Sequence, residues 1–175
     1  MRGLRWQDVD LVKGEVHVRQ RADRYNAIGR PKSRAGSRTI PIGPFVVNTL
    51  REWRLANPYE FVFPTRTGNI DNRGNILRDI LWPAQIAAGV TVEGAGKNGK
   101  PVARAKYLGL HALRHFHASW CINRKADGGL ELPAKMVQER LGHASIVMTM
   151  DTYSHLFPVT DDGGELARAE LRLIG

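Results

Sequence analysis

The apolar residues of this chain change their spacing once along its length. Near the start they alternate: Val16 and Val18 are separated by polar neighbours in GEVHVRQRA, and SRTIPI, from Ser37, is a second short extended run. Alternation at period two turns one face of a strand inward, so these runs predict a small antiparallel sheet whose strands are joined by the basic GRPKSRAGS. From residue 44 the spacing becomes helical. Phe45, Val46, Leu50 and Trp53 recur in GPFVVNTLREWRLAN, a helix that Pro58 closes. NRGNILRDILWPAQIAAG predicts a second helix, bent or split at Pro83. LGLHALRHFHASWCINRK predicts a third, with Leu110, Leu113, His117 and Trp120 near one face. LPAKMVQERLGH follows, entered at Pro133 and stopped at Gly142. ASIVMTMDTYSHLF and GGELARAELRLIG complete the series, with Asp162 a candidate cap for the last. Residues 93 to 106, EGAGKNGKPVARAK, read as a flexible Gly- and Lys-rich insert. MRGLRWQDVD, at the start, lacks a capping residue and reads as the end of a helical element. The expectation is an α+β fold with helices dominant.

At 175 residues the chain is expected to form one domain, residues 1–175. The charge balance narrows what that domain meets. Lys and Arg number 26 against 17 Asp and Glu, a formal charge of +9, and the pI is near 10.2. Such an excess favours a polyanionic partner, and a nucleic acid would add a salt-dependent term to affinity through counterion release from neutralised phosphates. Cys121 is the single cysteine, so an intramolecular disulfide or a Cys-rich zinc site is excluded and a reducing compartment fits. No apolar run approaches the roughly 18 residues of a membrane span, and the start of the chain lacks a signal-peptide pattern. A cytoplasmic location without membrane contact is expected.

Five of the six histidines lie between residues 111 and 155. His111 and His115, at i and i+4, would share a helix face as in H-E-x-x-H zinc sites, but the residues between them are Ala112, Leu113 and Arg114. The base carboxylate is missing, and a guanidinium stands where a cation would be repelled. An anion site suits HALR better, because His111 and Arg114 at i and i+3 project together and Arg offers a planar fork of donors to phosphate oxygens. Tyr153 supplies a hydroxyl ten residues after His143. An unperturbed phenol titrates at about 10 and is scarcely ionised at neutral pH, so it needs help to act as a nucleophile. With Lys32 from the basic turn, the set His111, Arg114, His143, Tyr153 and Lys32 has a nucleophile and several donors but neither an acid pair nor a metal cage. Phosphoryl transfer to a tyrosine hydroxyl fits that set.

PKSRAGSRTIPI, HALRH, LGHAS and TMDTYSHLFP, in this order, resemble the catalytic domain of tyrosine recombinases of the phage integrase type. The opening LRWQDVDL is similar to the segment after that family's first catalytic arginine. The resemblance implies an integrase-like DNA breaking-rejoining fold, mostly helical with a small three-stranded antiparallel sheet. It implies site-specific recombination of double-stranded DNA. Tyr153 would attack the scissile phosphodiester to form a 3′-phosphotyrosine and free a 5′-hydroxyl. Arg114 would stabilise the pentacoordinate transition state, with His111 and His143 donating hydrogen bonds and assisting proton movement, and Lys32 would protonate the leaving 5′-oxygen. Because the bond energy is kept in the phosphotyrosine, neither a metal nor another cofactor is called for. A type IB topoisomerase shares the chemistry, but the LGHAS to DTYSH spacing fits the recombinases better.

Departures from the family pattern set further expectations. Its Gly-x-Arg-x-x-Glu segment would fall before Met1, and neither Arg2 nor Arg5 takes the place of that arginine. The chain is therefore expected to be a catalytic domain lacking its first helical segment and the N-terminal DNA-clamping domain, and a poor cleaver of DNA by itself. A DNA-binding module without strand transfer is the alternative. Ala112 stands where an acidic residue is frequent. His115 and His117 read as packing or supporting residues, His17 and His155 as surface or structural ones, and Arg30, Arg34 and Arg38 as possible backbone phosphate contacts. GGELARAELRLIG reads as a helix packed through Leu166, Leu171, Leu173 and Ile174 on its own core; in the resembling family this region docks on a neighbouring subunit within a homo-tetramer on DNA.

Overall fold

A computed structural model describes residues 2–96, 100–157 and 162–174, apart from the side chains of residues 162, 163 and 165. After a 3-10 turn at Trp6–Asp8 the chain forms β1 (Val9–Asp10), β2 (Glu15–Val18), a small hairpin of β3 (Arg21–Ala22) and β4 (Ile28–Gly29), and β5 (Arg38–Pro41). β1, β2 and β5 make the three-stranded antiparallel sheet in that order, with Val16 opposite both Val9 and Ile40. Val9 and Val16 pack with Trp6, Val62, Leu4, Leu11 and Leu50, forming one apolar cluster under the sheet.

α1 (Pro44–Ala56) starts with Pro at its first position, where a missing N–H costs nothing, and ends two residues before Pro58. Its inward face is Val47 and Leu50, and the partly exposed Trp53 donates through Nε1 to the Val62 carbonyl at 2.6 Å. Phe45 is 83% exposed, so the expected face is turned by roughly one residue toward Val47. The second helical segment is continuous from α2 (Arg73–Asn75) through a π-helical stretch (Ile76–Leu81) into α3 (Trp82–Ala87). Pro83 neither breaks nor splits it. The wider turn lets the Trp82 N–H reach the Leu77 carbonyl five residues back, just where the proline ring would collide with a tight α-turn.

Residues 93 to 106 correct another expectation. Residues 93–95 and 101–105 are strand, in β6 (Thr91–Ala95) paired antiparallel with β7 (Pro101–Ala105), and Ala105 is buried, while residues 97–99 lie outside the described residues. α4 (His111–Ile122), α5 (Ala134–Leu141) and α6 (Ile146–Tyr153) then build the second apolar cluster from Ala118, Cys121, Ile122, Val137, Leu141 and Tyr153. The buried stripe of α4 is thus Ala118, Cys121 and Ile122, while Leu113 and Trp120 are largely exposed. The expected face of Leu110, Leu113, His117 and Trp120 is out of phase with that stripe. Cys121 is free and buried, as a core residue. α7 (Asp162–Ile174) closes the described chain, and the capping expectation for Asp162 falls on a side chain outside the described residues. Leu166, Leu171, Leu173 and Ile174 are exposed on it, so they do not pack on this chain's core.

Candidate active site

Gly142 ends α5 in the left-handed conformation, φ +69°, and its N–H bonds to Glu139 O at 3.0 Å. The turn is held by Gln138, whose carbonyl accepts from the His143 N–H and whose side chain donates to the His143 carbonyl, both at 3.1 Å. His143 is thereby locked two residues beyond the helix, and its Nδ1 lies 2.9 Å from Oγ1 of the fully buried Thr149 on α6. Ser145 caps α6 by accepting from the Met148 N–H. One helix thus carries Thr149, which orients His143, and Tyr153 at its last turn.

The Tyr153 ring is buried among Ala118, Cys121, Ile122, Val137 and Leu141, and its hydroxyl lies 2.8 Å from Nδ1 of His115. Burial pushes the phenol above its ordinary pKa, and the Arg114 guanidinium pulls it partly back. Near neutrality the hydroxyl keeps its proton. His115 also meets His111 edge to face, with ring centroids 5.3 Å apart, so α4 sends His111, Arg114 and His115 toward the end of α6.

Arg114 donates through Nη2 to the Leu141 carbonyl at 2.7 Å, which anchors it at the end of α5. Arg38 reaches the same place from β5, through Nε to the Arg140 carbonyl at 2.9 Å and Nη1 to the Gly36 carbonyl at 3.0 Å. Burial depresses the Arg38 pKa and the Arg114 charge depresses it further, and both arginines add to the burial that lowers the pKa of His143. Among the described residues neither guanidinium forms a salt bridge with a carboxylate. Two cations held together by backbone carbonyls and left without a counter-charge make a site for an anion.

Four of the five residues expected at the site therefore converge: Tyr153, Arg114 and His143 directly, and His111 through His115. Lys32 does not join them in any hydrogen bond among the described residues. It is exposed in the link between β4 and β5 and lines a separate open groove of about 840 Å³ with Arg2, Arg21, Arg24 and Arg73. Arg2 is spoken for by protein acceptors, donating to Asn26 Oδ1 at 2.7 Å and to the Asp71 carbonyl at 3.1 Å, and Arg5 pairs with Glu60 at 3.1 Å. Sequence reasoning gave His115 only a supporting part and left Arg38 undifferentiated from its neighbours. His111 and His115 stand at i and i+4, a spacing that puts both rings on one face of α4 without naming Tyr153 as the partner of either.

The family model described as the phage integrase family matches residues 1–159. The chain belongs to the phage integrase family. A tyrosine recombinase XerC-like protein of Caldanaerobacter subterraneus subsp. tengcongensis is 26% identical, over 89% of this chain and 41% of its own length. Tyrosine recombinase XerC of Xanthomonas axonopodis pv. citri is 31% identical, over 87% of this chain and 40% of its own. Among solved structures, the Tn1549 transposon integrase in complex with transposon right end DNA superposes over 99% of this chain and 53% of its own, with a TM-score of 0.64 at 22% identity. This integrase-family chain has the integrase fold, and it spans about two fifths of the length of those curated relatives.

Proposed function

We propose that this chain carries the strand-cleaving and rejoining centre of a site-specific DNA recombinase. The observation that carries the proposal is the buried Tyr153 hydroxyl, hydrogen-bonded to an imidazole and set beside a guanidinium pair that has no carboxylate partner among the described residues. In this reading a scissile phosphate occupies the anion site. Arg114 and Arg38 neutralise its non-bridging oxygens as charge grows in the pentacoordinate transition state, and His143, oriented by Thr149, donates a hydrogen bond. Tyr153 attacks the phosphorus and leaves a 3′-phosphotyrosine. Attack by a second 5′-hydroxyl reverses the step and joins new partners. Lys32, on its exposed link, comes to the leaving 5′-oxygen when DNA fills the groove it shares with Arg21, Arg24 and Arg73. Double-stranded DNA as the partner is supported by the +9 charge and by the DNA complex of the Tn1549 integrase.

The test is covalent trapping. Incubated in single turnover with a pool of nicked duplexes, whose short downstream fragment diffuses away after cleavage, the protein is expected to give a denaturant-stable adduct that Tyr153→Phe abolishes. DNA binding without any adduct would favour the alternative, a binding module. An adduct that survives Tyr153→Phe would move the nucleophile elsewhere.

Assembly on DNA as a homo-tetramer belongs to the same proposal. The exposed Leu166, Leu171, Leu173 and Ile174 of α7 support it, because an apolar helix face turned to solvent is stabilised by a neighbouring subunit. A strictly monomeric mass on DNA would count against it.

A further inference from the structure

The reaction proposed above needs a base, since the Tyr153 hydroxyl is buried and protonated, and burial holds its pKa up. Each basic group near it has an assignable position. Arg114 and Arg38 are permanent cations. The Nδ1 of His143 faces Thr149 Oγ1 at 2.9 Å. His111 meets the His115 ring and makes no hydrogen bond with the phenol among the described residues. Lys32 lines a groove with Arg21, Arg24 and Arg73, and makes no hydrogen bond with the phenol among the described residues. The nitrogen at the phenol oxygen is Nδ1 of His115, 2.8 Å from it, with the two rings edge to face at 5.7 Å between centroids.

We propose that His115 is the catalytic proton acceptor for Tyr153. The inference rests on the recombinase reading and adds to it the residue that makes the nucleophile reactive. As a lone pair of the Tyr153 oxygen forms the bond to phosphorus, the phenol proton passes to Nδ1 of His115. The bond from phosphorus to the 5′-oxygen breaks with its electron pair on that oxygen, which takes a proton from the general acid, Lys32 in this reading. In rejoining, the incoming 5′-hydroxyl gives its proton to the Lys32 amine as its oxygen bonds to phosphorus, the phosphotyrosine bond breaks with its electron pair on the phenol oxygen, and His115 returns its proton there.

Two further features of the site suit that part. His115 and His111 line an open groove of about 550 Å³ with Lys106, Tyr107, Phe116 and Ser119, so the imidazole touches both the buried phenol and solvent. The charged and titratable groups around it are His111 and Arg114 on α4, Tyr153 on α6, and Lys106 and Tyr107 on the segment after β7. None of them is a carboxylate, and Arg114 lowers the pKa of the phenol that must give up its proton. Proton transfer of this kind contributes about 10²- to 10⁴-fold in rate.

Adduct formation on the nicked duplexes tests the inference with His115→Asn and Lys32→Ala. The Asn carboxamide oxygen can accept the phenol hydrogen bond near the position of Nδ1, but it cannot take the proton. His115→Asn is expected to keep DNA affinity and Tm and to lose about 10²-fold or more in adduct rate. Adduct formation at the parent rate would mean that His115 only positions the phenol, and would overturn the proposal. A nicked strand with sulfur in place of the bridging 5′-oxygen separates base from acid, because a thiolate leaves without protonation. It should restore Lys32→Ala and leave His115→Asn slow; restoration of His115→Asn would assign His115 to the leaving-group side instead. Should His115→Asn fail to fold, nitrogen NMR of the parent protein decides. An unprotonated, accepting Nδ1 that shifts in Tyr153→Phe supports the inference, and a protonated Nδ1 overturns it. No adduct from the parent chain would sink the recombinase reading and this inference together, whereas a parent adduct with His115→Asn undiminished sinks the inference alone.

Discussion

Gly142 shows how one residue sets the site. Its positive φ favours glycine, and a Cβ there would stand 2.8 Å from Arg38 Nη1 and 2.9 Å from the Ala35 carbonyl. Gly142→Ala therefore adds a backbone clash to a left-handed penalty of about 1–2 kcal/mol. It is expected to lower Tm by about 4 °C or more in a thermal melt and to weaken binding of a DNA phosphate by displacing Arg38. The histidines set a pH dependence. Burial lowers the pKa of His143 and His117 below the ordinary 6.5, with Arg114 and Arg38 adding to both and Arg140 to His117. The unfolded chain then binds protons first as pH falls, so this contribution to stability is complete above about 6.5 and is lost below it, down to the depressed native values. Tm should fall on acidification through that window, and His117→Asn should flatten the fall; a Tm that rises toward acid would contradict the assignment. Tyr153, Arg114, His111 and His143 were legible in the sequence because the spacing of their motifs carries them. Arg38 was not, because its neighbours are 102 residues away at Arg140, and His115 was not, because the bond to Tyr153 spans 38 residues.

At the scale of elements, the strands and helices whose residues keep a regular period were foreseen, and the misreadings have local causes. The hairpin of β6 and β7 was hidden because Gly94 and Gly96 interrupt its alternation and its partner strand supplies the stability that composition does not advertise. The face of α4 was misphased because Leu113 and Trp120 are larger than Ala118 and Cys121, yet the small residues are the ones that let α5 pack against it. Size attracted the reading, and close approach decided the packing. α6 permits a direct test of how an element serves the site. Ser145→Ala removes the cap on the Met148 N–H, at a cost of about 1 kcal/mol. A fall in Tm of about 2–4 °C is expected, and with it a lower yield of adduct, since Thr149 and Tyr153 ride on the same two turns. An unchanged adduct yield at reduced Tm would show that the end of α6 is held by Tyr153 packing and not by its cap.

For the whole molecule, the sign of the charge was plain from composition, but where it gathers depended on the fold. The link between β4 and β5 brings Lys32 to a groove with Arg21 and Arg24, and Arg73 arrives from the start of α2, more than forty residues later in sequence. Among the described residues these four form no salt bridge, so a phosphate backbone laid in the groove meets charges that no carboxylate has claimed. Each phosphate neutralised contributes about −0.9 to the slope of log K against log salt on duplex DNA. The parent protein should therefore bind duplexes of unrelated sequence with a steep slope, and Arg73→Ala should reduce it by about 1 while weakening all sequences alike. Arg73 is the informative choice because it is placed outside the Tyr153 cluster, so a change in its slope reports the groove without touching the chemistry. A slope that Arg73→Ala leaves intact would mean that duplex DNA passes over another face of the molecule, and Lys32 would then have no path to the leaving oxygen.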